Sequence, residues 1–165
     1  VAMSELTMID GLGQIADRYD AALVDIWGVI HNGRDAFPEA VQALERFRAE
    51  RGPVVLISNS PRPGSAIPAQ FAEVGVPASV YDAIVTSGDA TIAELARRAP
   101  GPAFKLGPAR DDRLYEPLDL QFTDLEHAKF ISCTGLFEDD HETPEDYREL
   151  LGEAKALGLP MVCAN

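Results

Sequence analysis

Short apolar runs ending in polar turns alternate along this chain with segments whose apolar residues recur every three to four positions. The first run, "AALVDI" at 21–26, is β-prone and closes on an acid, as a buried parallel strand reads. "FPEAVQALERFRAERG" follows with Val41, Leu44 and Phe47 at helical spacing. Pro38 suits the first turn of that helix and Gly52 its stop. "PVVLISNS" predicts a second strand and turn, and "PGSAIPAQFAEVG" a second helix ending at Gly75. "DAIVTSGD" predicts a strand at 83–86, with Asp89 capping a helix that carries Ile92, Leu95 and Ala96. Strand–helix units at roughly 30-residue spacing are the size of a βαβ element. Ahead of them, residues 4–18 predict a helix weakened by Gly11 and Gly13.

After residue 100 the texture changes. "APGPAFKLGPARDD" is rich in Pro and Gly; it predicts a strand at 103–106 and a short helix near 111–116. A strand at 128–134 follows. Thr143 then caps the clearest helix, with Pro144 at its first position and Asp146 three residues after the cap. Tyr147, Leu150, Leu151, Ala154 and Leu157 line one face and Gly158 stops it. "PMVCAN" reads as a last strand. This is an α/β pattern with a mainly parallel sheet, divided between residues 1–88 and 89–165. An α/β unit stopping on an apolar strand lacks the element that should cover it, so the pattern predicts the N-terminal part of a longer protein.

Composition narrows the partners. With Lys plus Arg at 14 and Asp plus Glu at 27, the net charge is −13. Such a balance disfavours nucleic acid and anionic membranes, which need a basic surface. It leaves room for an anionic substrate held by a metal ion and backbone N–H groups. No apolar run reaches the ~20 residues of a membrane span. The first residues, "VAMSELTMIDG", have no basic segment leading into an apolar one, so no signal peptide is expected and a cytoplasmic location is. The two cysteines, Cys133 and Cys163, are too far apart in sequence for a close ligand pair and read as buried small hydrophobes.

Two strand ends carry the candidate chemistry. Asp25 closes the first strand and Gly28 permits a tight turn after it. Ligands of open α/β sheets bind outside the carboxyl ends of the strands. A carboxylate there can ligate Mg²⁺, attack phosphorus, or simply satisfy turn N–H groups. Ser58 and Asn59 close the second strand, where a hydroxyl and backbone N–H groups make either a phosphate cradle or a helix-capping turn. Asp25 and Ser58 end strands separated by a single helix, the arrangement of adjacent parallel strands facing one pocket.

"LVDIWGVIHNG", "VVLISNSPRP" and "IVTSGDAT", in that order, resemble the haloacid dehalogenase (HAD) superfamily, and within it the class IIA, NagD-like and pyridoxal-phosphate-phosphatase-like branch. The resemblance spans nearly the whole chain. "FKLGP" and the run from Thr143 resemble the first half of the α/β cap of that branch. It implies a Rossmann-like parallel core with a class II cap, both incomplete here. It also implies Mg²⁺-dependent hydrolysis of a small phosphate monoester, such as a sugar phosphate or nucleotide, through an aspartyl-phosphate. On that resemblance Asp25 is nucleophile and metal ligand, and the Trp27 backbone carbonyl is a second ligand. Ser58 binds the phosphoryl group with help near Asn59 and Ser60. Arg62, close after that strand end, reads either as a contact to an anionic substrate or as a surface arginine paired within an acidic protein. A homodimer formed through the cap is the assembly it implies.

Two departures qualify it. The acid two residues after the nucleophile, which moves protons to leaving group and water, is here Trp27. Loss of such acid–base catalysis costs typically ~10²–10⁴-fold. His31 and Asp35 could substitute, though both read first as residues of a solvated turn. The family's later lysine and acidic pair have no match either. Lys105, Lys129 and Lys155 lie in the cap-like part, and "EDDHE" at 138–142 reads as an exposed loop, with His141 at most a substrate contact. Little activity is therefore expected of this chain alone. A HAD-fold protein that binds a phosphorylated metabolite with little turnover is the alternative reading. A plain Rossmann-like binding domain is a third, and requires that Asp25 and Ser58 not share a pocket.

Overall fold

The computed structural model describes residues 8–138 and 140–164. It forms two compact units: residues through Ile57 with Pro68–Ile84, and Ser58–Ile67 with the residues from Val85 onward.

In the first unit, β1 (Ala22–Asp25) leads through α1 (Pro38–Glu50) to β2 (Val54–Ser58). β1 and β2 pair in parallel, Leu23 opposite Val55 and Asp25 opposite Ile57. α2 (Ile67–Val74) and β3 (Ala83–Thr86) follow, and the sheet order is β1-β2-β3. The alternation of β2 decides its two faces: Val54 and Leu56 are fully buried, while Ile57 is exposed. Leu44 and Phe47 of α1 and Phe71 and Val74 of α2 are buried in the same unit, as their helical spacing requires. Pro38 occupies the first turn of α1 as predicted.

Gly52 lies at the expected stop, directly after the C-cap Arg51, and donates to the Phe47 carbonyl at 3.2 Å. Its φ is not left-handed, but a Cβ there would overlap the carbonyl of Asp20, so the residue permits close approach of two backbones. Gly75, with φ +81, is the left-handed residue that ends α2. Of the helix expected over 4–18, residues 4–7 lie outside the described residues. The remainder holds only two single 3₁₀ turns, Leu12–Gln14 and Ala16–Arg18, because Gly11 and Gly13 weaken the continuous i→i+4 ladder.

In the second unit, α3 (Ser87–Ala96) follows β3. Its N-cap is Thr86 rather than Asp89. The Thr86 hydroxyl accepts the Asp89 N–H, and the Asp89 carboxylate accepts the Thr86 N–H, a reciprocal capping box. β4 (Ala103–Leu106), β5 (Phe130–Cys133) and β6 (Met161–Cys163) form a second parallel sheet in that order. The residues expected helical at 111–116 form a 3₁₀ segment, Ala109–Leu114. Thr143 and Asp146 form the expected capping box, but the first turn, Pro144–Tyr147, is 3₁₀ and α4 runs only Arg148–Ala156. Of its apolar face, Tyr147 and Ala154 are buried, whereas Leu151 and Leu157 are 39% and 48% exposed. Cys133 and Cys163 sit opposite each other on β5 and β6, so residues distant in sequence are neighbours in the sheet. Cys163 is exposed and Cys133 only half-buried, against the expectation for both. Burial first, and then the adjacent Cys163, push the Cys133 thiol up to about 11.

Candidate active site

Asp25 is the last residue of β1, exposed, and its Oδ1 accepts the Ile26 N–H at 2.8 Å. The next residues alternate: Ile26 is 4% exposed and Trp27 62%. Asp25 and Trp27 are exposed, while Ile26 between them enters the core.

The loop beyond Trp27 is fixed by short-range bonds. Gly28, at φ +75, donates to the His31 carbonyl, and Ile30 donates to Ile26. The Asn32 side chain accepts the Arg34 and Asp35 N–H groups, each at 2.9 Å. Gly33, at φ +89, lies under the indole: a Cβ there would come within 2.5 Å of Trp27 Cζ3. His31 holds the indole from another side, ring centroids 5.7 Å apart and nearly perpendicular. Behind it Phe71 meets His31 at 5.8 Å, and Tyr81 meets Phe71 at 5.7 Å.

His31 is not the solvated turn residue its sequence context implied. It is 1% exposed, and its Nδ1 accepts the Gly33 N–H at 2.9 Å. The neutral ring then carries its proton on Nε2, which is buried without a hydrogen-bond partner among the described residues. Burial lowers its pKa below 6.5. A neutral, enclosed imidazole supports the Trp27 loop and is out of reach for proton exchange with a substrate. Asp35 is exposed in the turn.

Ser58, Asn59, Ser60 and Arg62 belong to the second unit. Ser58 is the residue after Ile57, the partner of Asp25 in the β1–β2 register. Its Oγ accepts the Ser60 N–H at 3.1 Å, and Ser60 Oγ accepts the Arg62 N–H at 3.2 Å. Asn59 and Arg62 are exposed. This segment is anchored at the start of α3. Gly88 donates to the Ser60 carbonyl at 3.0 Å, and the Asp89 carboxylate accepts the Gly64 N–H at 3.0 Å. A Cβ on Gly88 would lie 2.6 Å from the Arg62 carbonyl carbon. "SGD" is thus a docking point for the strand-end loop, a role that sequence spacing does not reveal. A cleft of about 720 Å³ in this unit is lined by Pro63, Ser65, Asp89 and Arg113, among others.

The acidic loop is locally committed. Glu142 accepts the Glu138 N–H at 2.7 Å and the Tyr147 hydroxyl at 2.5 Å. Among the described residues, no cluster of three or more His, Cys, Asp or Glu is arranged to hold a metal. The Asp25 carboxylate and the Trp27 carbonyl remain the expected donors. Both are hard oxygens, and the Trp27 carbonyl accepts none of the loop's backbone hydrogen bonds among the described residues, so the pair fits part of a Mg²⁺ shell.

The fold and strand ends define a parallel α/β protein with polar groups where such sheets bind ligands. Residues 22–121 match the family model described as haloacid dehalogenase-like hydrolase, and the chain belongs to that family. It is similar to a haloacid dehalogenase-like hydrolase from Brucella suis 1330, at 43% identity and TM-score 0.88, over 96% of this chain and 58% of that one. It shares the fold of a p-nitrophenyl phosphatase from Archaeoglobus fulgidus, at 18% identity and TM-score 0.65, over 88% of this chain and 55% of that one. A glycerol phosphate phosphatase from Mycobacterium tuberculosis, in complex with magnesium, is similar at 25% identity and TM-score 0.62, over 92% of this chain and 45% of that one. The chain thus spans about half the length of these structures. No curated protein matches it.

Proposed function

We propose that the protein is a Mg²⁺-dependent phosphomonoester hydrolase that works through an aspartyl-phosphate on a small phosphorylated metabolite, of the sugar-phosphate or nucleotide kind. The observation carrying this is Asp25 at the carboxyl end of β1, in parallel register with the residue before Ser58. In this reading the Asp25 carboxylate attacks phosphorus. Ser58 Oγ and the backbone near Asn59 and Ser60 hold the equatorial oxygens, and Arg62 meets the substrate's negative charge. Mg²⁺, held by Asp25 and the Trp27 carbonyl, would supply neutralisation of the phosphoryl charge. A cytoplasmic homodimer joined through the cap-like residues 89–165 completes the proposal.

The test is beryllofluoride capture by the full-length protein with and without Mg²⁺, alongside turnover. Mg²⁺-dependent capture and turnover, both lost in Asp25→Asn, are expected. Capture without turnover would favour the second reading, a phosphometabolite-binding protein, which the enclosure of His31 and the indole at position 27 support. Absence of both refutes the phosphate site.

A further inference from the structure

Two thiols meet in the second sheet. Cys133 ends β5 and Cys163 ends β6, and the parallel register sets them directly opposite each other. Cys133 packs with the cluster of Leu106, Ile131, Tyr147 and Ala154. Val162, the residue before Cys163, packs instead on the cluster that holds Tyr115 and Phe130. Strand alternation therefore turns both thiols to one face of the sheet. They are reduced and in hydrogen-bond contact. Cys163 is exposed, so packing alone does not call for a thiol at that position.

The spacing suits a covalent bond. Paired strands run about 4.7–4.9 Å apart, inside the window of about 4.4–6.8 Å between the Cα atoms of a disulfide. The Cβ atoms of opposed parallel residues keep about the strand separation, slightly wider than the roughly 3.5–4.5 Å of a relaxed disulfide. A small movement therefore closes a bridge here, and the strain it retains leaves that bridge open to reduction. The two sulfurs also differ in kind. Burial, and then Cys163, push the Cys133 thiol up to about 11, which keeps it protonated at neutral pH, while Cys163 faces solvent. Attack on an external disulfide thus starts at Cys163, and Cys133 is placed to close the bond.

We propose that Cys133 and Cys163 form a reversible thiol–disulfide switch, oxidised by small-molecule disulfides and reduced by the matching thiols. The Cys163 thiolate attacks one sulfur of the small disulfide. A new S–S bond forms, the old one breaks, and its electron pair leaves with the released thiolate, which takes up the proton that Cys163 gave to solvent. Cys133 Sγ then attacks the Cys163 sulfur and expels the second small thiol, which takes up the Cys133 proton. The protein dithiol is oxidised by two electrons, and the small disulfide is reduced to two thiols. The bond ties the ends of β5 and β6 together and gives up the contact from the Cys133 thiol to the Gly135 carbonyl at 4.0 Å. The switch does not depend on the phosphatase reading.

The experiment equilibrates the full-length protein in mixtures of oxidised and reduced glutathione and blocks the remaining thiols by alkylation. Mass spectrometry of the digest then measures the peptide pair joined through Cys133 and Cys163. The expected result is a linked fraction that rises with oxidised glutathione and falls again when reduced glutathione is restored. Cys133→Ser should instead accumulate a glutathione adduct on Cys163, roughly tenfold or more above wild type. Cys163→Ser should gain its adduct on Cys133 at least about tenfold more slowly than Cys133→Ser gains its own. No linked peptide at any ratio, or a link that reduced glutathione does not open, overturns the switch. An adduct on Cys163 as abundant in wild type as in Cys133→Ser, or a Cys133 modified as fast as Cys163, overturns it too. The wild-type titration alone decides linkage and reversal, even where a variant fails to fold.

Discussion

Replacing Gly33 with alanine perturbs the seat of the Trp27 indole and little else. Two costs follow from the geometry. At φ +89 an L-residue occupies the left-handed side of conformational space, which costs about 1–2 kcal/mol. The new methyl would also sit within 2.5 Å of Trp27 Cζ3. Because the indole is exposed, it swings away rather than straining the backbone, and forfeits its ring contact with His31, about 0.5–1.5 kcal/mol. Together these give a loss of about 1.5–3.5 kcal/mol. With a urea slope of about 2 kcal/mol/M, the unfolding midpoint should fall by roughly 1 M. Trp27 is the only tryptophan in the chain, so its fluorescence reports both the transition and the release of the indole, as a red-shifted native emission. Gly33→Asn separates the two costs. Asparagine tolerates positive φ better, so stability should partly recover while the emission stays shifted. A Gly33→Ala protein with wild-type midpoint and wild-type emission would show that the indole is not seated on Gly33.

Two further substitutions test the frame around the site. Gly88→Ala should lower the thermal midpoint by the equivalent of about 1–3 kcal/mol, because the groups in its way are the backbone of Pro61 and Arg62 and cannot rotate aside. Calorimetry of the variant checks this, and an unchanged midpoint would mean that the loop is not docked on α3. Asp82 is held below its ordinary 3.8 first by the Val54 N–H and then by the Arg48 guanidinium. Its stabilisation is present above pH 3.8 and lost as pH falls through the lowered native value, since the unfolded state then binds the extra proton. Urea midpoints at about pH 6 and about pH 3 should differ less in Asp82→Asn than in wild type; equal differences would remove Asp82 from the acid sensitivity.

Much of the fold is legible in local pattern. Four apolar residues followed by a turn are enough to place β1 and its terminal Asp25. A Pro at the first helical position starts α1, and β3 and β4 fall where the runs put them, because strand and cap preferences act within a few residues. Parallel pairing of β1 and β2 also follows from a single helix between them. Failures occur where a distant segment decides. Gly52 and Gly88 look like turn residues, but their need for hydrogen in place of Cβ comes from Asp20 in one case and Pro61 and Arg62 in the other. Cys133 and Cys163 become neighbours only when β5 and β6 pair. Leu151 and Leu157 fit a helical stripe wider than the face that α4 buries.

The candidate site divides along the same line. The residue types at the strand ends, an acid at 25 and a hydroxyl at 58, are set by sequence, and so is the indole at 27. The state of His31 is not, since its surroundings in the chain, "VIHNG", are those of an open turn. Only the folded loop brings Phe71 behind the ring and the Gly33 N–H onto Nδ1, closing it off from protons. Sequence by itself determined which groups stand at the carboxyl ends of the strands, because strand ends are local events. Tertiary structure alone decided which of the neighbouring side chains can exchange a proton and which serve as support, because burial and hydrogen-bond partners are properties of packing between segments far apart in the chain.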